Sequence, residues 1–264
     1  MSSRSPVPSR SPEGEEPTPA SGEVVFEEGD LHALSEGLDR DPQYNDRRLE
    51  LRRKLAALAK TFVARPRRPK LPLVSRTSLH HPHAFNGNRV RRLWAYVTRD
   101  KTEKGRLRRV VGADLAKDLD AAYRNAYFCV AVEAERVEVS LRIHGDAWFD
   151  GQNLVRRVEK EGPDGLLGIL CELDGFTLRL ADWKGEWRCG DLERLRLEEF
   201  FRYYEPGTHA LAVERVWPAP RDQPAVRAAL FGEGVGNALL DELQRLEGLY
   251  RFAAWSNSSD HLFG

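Results

Sequence analysis

"AYFCVAVEAERVEVSLRI", residues 126 to 143, decides the fold class. Apolar side chains fall at Phe128, Val130 and Val132. After the polar turn from Glu133 to Arg136 they resume at Val137, Val139, Leu141 and Ile143. Period two is the repeat of a strand that buries one face, and two such runs about a short polar turn predict an antiparallel hairpin. "GFTLRLADWKGEWRC", residues 175 to 189, repeats the pattern and predicts a second hairpin turning at Lys184-Gly185. Leu93 to Thr98 and His209 to Trp217 read as further strands.

Helical periodicity surrounds these runs. Leu51, Leu55, Leu58 and Phe62 form one apolar stripe within Asp46 to Val63. Asn45 or Asp46 can cap its start, and Pro66 forbids its continuation. Further helices are predicted over Asp114 to Arg124, Ala147 to Glu159, "DGLLGILCEL" from Asp164 to Leu173, and Leu192 to Tyr204. One or two more close the chain between Pro224 and Trp255. Helices mixed with antiparallel hairpins, without β-α-β alternation, predict an α+β fold. Its sheet is expected to be mixed and largely antiparallel, built from two hairpins plus additional strands and flanked by helices.

The 264 residues, 41% hydrophobic and 31% charged, suit one domain over 23–255. Residues 1–22 are rich in Ser, Pro and Glu and are expected to be a disordered tail, with Val24 to Phe26 beginning to dock. Residues 256–264 read as a short C-terminal tail. The chain has no apolar run of transmembrane length and no apolar core of a secretory signal near its start, so a soluble, cytoplasmic protein without membrane contact is expected. Cys129, Cys171 and Cys189 are odd in number and widely spaced, which argues against a disulfide framework or a zinc knuckle.

The zero net charge conceals a strong asymmetry. Arg47 to Arg109 holds 20 Lys or Arg and only three acids, Glu50, Asp100 and Glu103, a balance of +17 over 63 residues. Taken from 41 of each sign, this leaves 21 basic and 38 acidic residues elsewhere, a balance of −17. Such a split suggests a polyanion footprint. The basic helix–arm–strand segment at 46–109 includes "RPRRPKLP", residues 65 to 72, whose prolines favour an extended arm that projects its cations. Arg52, Arg53, Arg67, Arg68, Arg89, Arg91 and Arg92 are the expected contacts to nucleic-acid phosphates. His80, His81 and His83 are weaker members of that set. Contacts of this kind hold a backbone without reading sequence. The competing expectation is a protein–protein module, its cations docking on an acidic partner or on the chain's own acidic remainder.

No metal and no cofactor are expected. His80 and His81 are adjacent, so in an extended segment they point opposite ways, and the basic region barely contains carboxylates to complete a site. An enzymatic alternative rests on Pro163-Asp164 followed by Asp182-x-Lys184. In a metal-dependent phosphoesterase or nuclease, two such carboxylates hold Mg²⁺ and the lysine helps activate water. Asp164 also suits a turn and helix cap, lying within "GPDG". A pocket around "GDAWFDGQN", residues 145 to 153, is a further candidate, with His144, Asp146, Asp150, Gln152 and Asn153 about a strand-to-helix connection.

Overall fold

Val130 faces Val139 and Val132 faces Val137 across an antiparallel hairpin whose strands run Tyr127–Glu133 and Arg136–Ile143. A computed structural model describes residues 24–77, 89–117, 119–181 and 183–263. In chain order its elements are α1 (Glu28–His32), α2 (Asn45–Ala64), β1 (Leu73–Thr77), β2 (Arg92–Arg99), α3 (Lys101–Val111), β3 (Tyr127–Glu133) and β4 (Arg136–Ile143). There follow α4 (Trp148–Glu161), α5 (Asp164–Cys171), β5 (Thr177–Leu180), β6 (Glu186–Arg188), α6 (Arg194–Tyr203), β7 (Leu211–Pro218), α7 (Pro224–Ala228), α8 (Val235–Arg245) and α9 (Glu247–Ala253).

The strands form one seven-stranded sheet in the order β1-β2-β3-β4-β7-β5-β6, antiparallel at every step. The fold is α+β. Both predicted hairpins are present, and β7 lies between them.

The pleat divides the sheet into two unlike faces. One carries Leu93, Ala95, Val97, Phe128, Val130, Val132, Val137, Val139, Leu141 and Ile143, all buried. The α2 stripe packs here, with Leu51, Leu55, Leu58 and Phe62 each no more than 2% exposed. Phe62 meets Phe128 edge-on at 5.0 Å, and Phe128 stacks on Tyr250 of α9 at 4.8 Å. Helices α4, α5, α6, α8 and α9 feed the same core through Leu154, Leu166, Leu170, Phe200, Leu239 and Leu249. A second, smaller core gathers Leu107, Val111, Leu119, Phe149, Trp255 and Leu262.

The opposite face is mixed: Trp94, Tyr96 and Tyr127, with buried Cys129 and Ala131, share it with charged side chains. Across it runs a chain of alternating charge: Arg136 to Glu133 (2.7 Å), Glu133 to Arg92 (2.7 Å), Arg92 to Glu138 (3.0 Å) and Glu138 to Arg142 (2.6 Å). It continues through Glu214 (2.8 Å) and Arg179 (3.4 Å) to Glu186 (2.7 Å). Side chains two positions apart on a strand share a face, so this four-Arg, four-Glu ladder follows from the alternation that buries the valines on the other side.

Several elements differ from expectation. The helix expected over Asp114 to Arg124 is only a 3₁₀ turn at Ala122–Arg124, and the long helix lies earlier, at Lys101–Val111. Its boundaries have clear causes. The Asp100 carboxylate accepts the backbone N–H of Thr102 (2.8 Å) and Glu103 (3.0 Å), and Gly112, at φ +84°, ends it. The closing region holds three helices rather than one or two, divided by Gly234 at φ +94° and by Leu246. Residues 256–263 are not a loose tail. The His261 N–H donates to Asn153 (2.9 Å), Arg156 donates to the Leu262 carbonyl, and the Leu262 side chain is buried. At the other end Phe26 docks, fully buried, and the expected tail before residue 23 lies outside the described residues.

Candidate nucleic-acid interface

The Pro-rich arm after α2 does not project. Arg65 donates to Asp241 (2.8 Å) and Gln244 (2.9 Å) of α8. Arg67, its side chain only 3% exposed, meets Glu247 at 2.5 Å. The same guanidinium donates to the carbonyls of Phe62 (2.6 Å), Val63 (3.1 Å) and Arg65 (2.9 Å) and lies 4.4 Å from the Phe62 ring. Arg251 of α9 donates to the Pro69 carbonyl. Asp241, Gln244, Glu247 and Arg251, all distant along the chain, therefore clamp the arm onto α8 and α9.

Clamped in this way, the arm forms one wall of a cleft of about 860 Å³. Its lining comes from Pro69 to Leu73, from Asp100, Thr102, Glu103 and Arg106 at the α3 start, from Ile169, Gly248, Arg251 and Phe252, and from Ser256 to Ser259. Arg99, Tyr250 and Trp255, all buried, also belong to its lining. Arg99 is 2% exposed; it donates to Asp150 and, at 3.2 Å, to the Trp255 carbonyl. Asp150 also accepts the backbone N–H of Ala126 (2.7 Å) and Trp255 (2.8 Å). Burial works against the Arg99 charge, yet Asp150 outweighs it and holds the guanidinium above the ordinary arginine pKa. Burial likewise pushes the Tyr250 phenol up, so it stays protonated. Among the described residues, Arg99 Nε and Trp255 Nε1 are buried donors without an acceptor.

The expected phosphate contacts do not share one face. Arg67 is consumed by Glu247 and three carbonyls. Arg91 pairs with Asp39 (2.6 Å) and Glu36 (3.0 Å), and its hydrogen bond holds the Asp39 carboxyl below the usual range despite burial. Arg92 belongs to the ladder on the open sheet face. Arg52 donates to the Thr77 hydroxyl (3.2 Å), while Arg53, Arg68 and Arg89 are exposed. His80, His81 and His83 lie outside the described residues. Among the described residues, nine cations of the basic segment meet a carboxylate: Arg47, Lys54, Arg65, Arg67, Arg91, Arg92, Arg99, Lys104 and Arg106. All but Arg106 reach an acid from outside the segment. Much of the sequence-level asymmetry is thus cancelled inside the molecule.

Among the described residues the other exposed cations of the segment stand in two sets: Arg53 and Lys60 on α2, Arg76 on β1 and Arg89 before β2 lie off the cleft, and the rest lie near it. Exposed Arg68 and Lys70 on the arm, and Lys101, Arg108 and Arg109 on α3, have no carboxylate partner among the described residues, and neither has Arg251. Lys70 and Arg251 line the cleft, and the others stand on the two elements that border it. The elements that form this cleft are far apart in sequence. Only the small polar run "WSNSS" after an apolar helix hinted at a site near residue 256.

The other candidate sites resolve differently. Asp164 opens α5, exposed, and its carboxylate is taken up by Arg194 at 3.1 Å; Asp182 lies outside the described residues, and Lys184 is exposed in the β5–β6 turn. Among the described residues no three His, Cys, Asp or Glu side chains group as metal ligands. Around "GDAWFDGQN", Asp150 and Asn153 are buried structural partners, Asn153 donating to the Ala253 carbonyl (3.2 Å). Cys129 is buried, and burial pushes its thiol up to about 11. No described helix is long and apolar enough to cross a membrane. No protein-family model and no curated protein matches the chain.

Proposed function

We propose that the protein binds nucleic acid through its phosphates, along the rim of the cleft between the arm, α3 and α9. One observation carries this reading: Arg68, Lys70, Lys101, Arg108, Arg109 and Arg251, without a carboxylate partner among the described residues, stand on elements that border one cleft of ligand size, a closer grouping than that of Arg53, Lys60, Arg76 and Arg89. Lys70, Lys101 and Arg251 supply the rim contacts, with Arg68 and Arg108 extending them. Such contacts release counterions and hold a backbone irrespective of sequence, so affinity falls as salt rises. The site is narrower than the expected set, because Arg67, Arg91 and Arg92 already have carboxylate partners, which a phosphate would have to displace.

The test is fluorescence anisotropy with labelled single-stranded and duplex oligonucleotides across a salt series. Three or four phosphate contacts give a log–log slope of roughly −2 to −3 on a single strand. Lys70→Glu and Lys101→Glu should each weaken low-salt binding by about tenfold, while Arg53→Glu, on α2 and outside the cleft lining, should leave it near wild type. A flat salt response, or equal damage from Arg53→Glu, overturns the reading.

A further inference from the structure

We infer that the chain's own N-terminal glutamates, Glu13, Glu15 and Glu16, dock on the cationic rim at Arg68, Lys70, Lys101 and Arg251 and compete there with phosphates. This rests on the phosphate-rim reading above and adds its regulation.

Charge favours this occupant. Residues 11–22, "SPEGEEPTPASG", carry three glutamates and no Lys, Arg or His. The four rim cations have no carboxylate partner among the described residues, and the same arm already takes Asp241 on Arg65 and Glu247 on Arg67. Reach favours it too. The described chain begins at Val24, whose carbonyl lies against the first turn of α8, where a side-chain carbon on Gly236 would stand 2.6 Å from it. The other end of α8 holds the arm, Arg65 donating to Asp241 and Gln244. From Gly236 to Gln244 the helix rises about 12 Å. Glu16 and Glu13 precede Val24 by eight and eleven residues. Extended chain of those lengths covers about 26 and 36 Å, which leaves slack for the arm and its neighbours. Tethering supplies the strength. Exposed ion pairs are individually weak, but a tether of this length holds the acids at an effective concentration on the order of millimolar.

The experiment compares full-length protein with the triple variant Glu13→Gln, Glu15→Gln, Glu16→Gln. At low salt and without nucleic acid, a carbodiimide joins carboxylates to contacting lysines, and peptides from the monomer band are read by mass spectrometry. Wild type should give links from these glutamates to Lys70 or Lys101 that fade as salt rises. The triple variant should bind a labelled single strand about fivefold tighter than wild type at low salt, as for a rim occupied in about four-fifths of molecules. A control, Asp191→Asn with Asp222→Asn and Glu233→Gln, removes the same charge at exposed positions outside the cleft lining and should change affinity less than about twofold. Equal affinities for wild type and triple variant, or an equal gain in the control, overturn tail docking, and Lys70→Glu remaining harmful leaves the rim reading standing. Links absent, or confined to lysines other than Lys70 and Lys101, overturn it as well. No salt-dependent binding by any of these proteins overturns the rim reading itself.

Discussion

The two oxygens of Asp150 accept from three donors: Arg99, the Trp255 N–H and the Ala126 N–H. Removing its carboxylate strands a buried guanidinium and two backbone donors together. Asp150→Ala should therefore destabilise the fold by about 3–5 kcal/mol in urea denaturation, and a loss below about 1 kcal/mol would show that water can serve Arg99 instead. Glu138 makes a pH-dependent counterpart. Burial alone would raise its pKa, but Arg142, Arg92 and the Ser140 hydroxyl hold it down to about 2. A carboxyl depressed in the folded state stabilises fully above its unfolded pKa and loses that contribution as pH falls through the folded one. From 4.5 unfolded to about 2 folded, the shift is worth on the order of 3 kcal/mol. The stability gap between wild type and Glu138→Gln should be widest near neutral pH and shrink as pH falls from 4.5 toward 2. A gap independent of pH would contradict it.

Among the elements, those with strong periodicity are legible in the sequence alone. The alternation of Phe128 to Ile143 and the stripe Leu51, Leu55, Leu58, Phe62 each require burial of one side, and the sheet and α2 supply it. β1 was not legible, because Leu73 is its one buried residue and its pairing with β2 is set by backbone hydrogen bonds that leave no apolar pattern. α3 was missed for another reason. "KTEKGRLRRVV" buries only a narrow stripe, and the helix depends on a cap outside it. Asp100→Ala should consequently cost about 1 kcal/mol and lower the melting temperature, whereas Asp100→Asn, which keeps an acceptor, should cost less. Equal losses in the two variants would remove the cap from the account. The arm was legible as extended but not as clamped, since its partners Asp241 and Glu247 lie far along the chain.

At the scale of the whole molecule, a charge balance counted along the sequence describes the unfolded chain. Folding brings Glu27, Asp30, Asp39, Glu133, Glu138, Asp150, Asp241 and Glu247 to cations of the basic segment. This is why the candidate interface was only partly legible: guanidiniums expected to meet phosphate meet carboxylates instead, and the ones left over are identifiable only once the arm, α3 and α9 converge. Exchanging one pair tests how specific that matching is. Arg67→Glu or Glu247→Arg alone should each cost about 3 kcal/mol or more. The double exchange should recover only part, because a glutamate at 67 cannot donate to the carbonyls of Phe62, Val63 and Arg65. Complete recovery in a double-mutant cycle would mean that charge alone matters there.

The distance along the chain between those partners has a consequence for biosynthesis. Arg65 and Arg67 are translated 176 and 180 residues ahead of Asp241 and Glu247. While the ribosome is still adding the last quarter, these two guanidiniums lack the carboxylates they meet in the finished fold. A fragment ending before Asp241 should cling to heparin resin more tightly than the finished protein does.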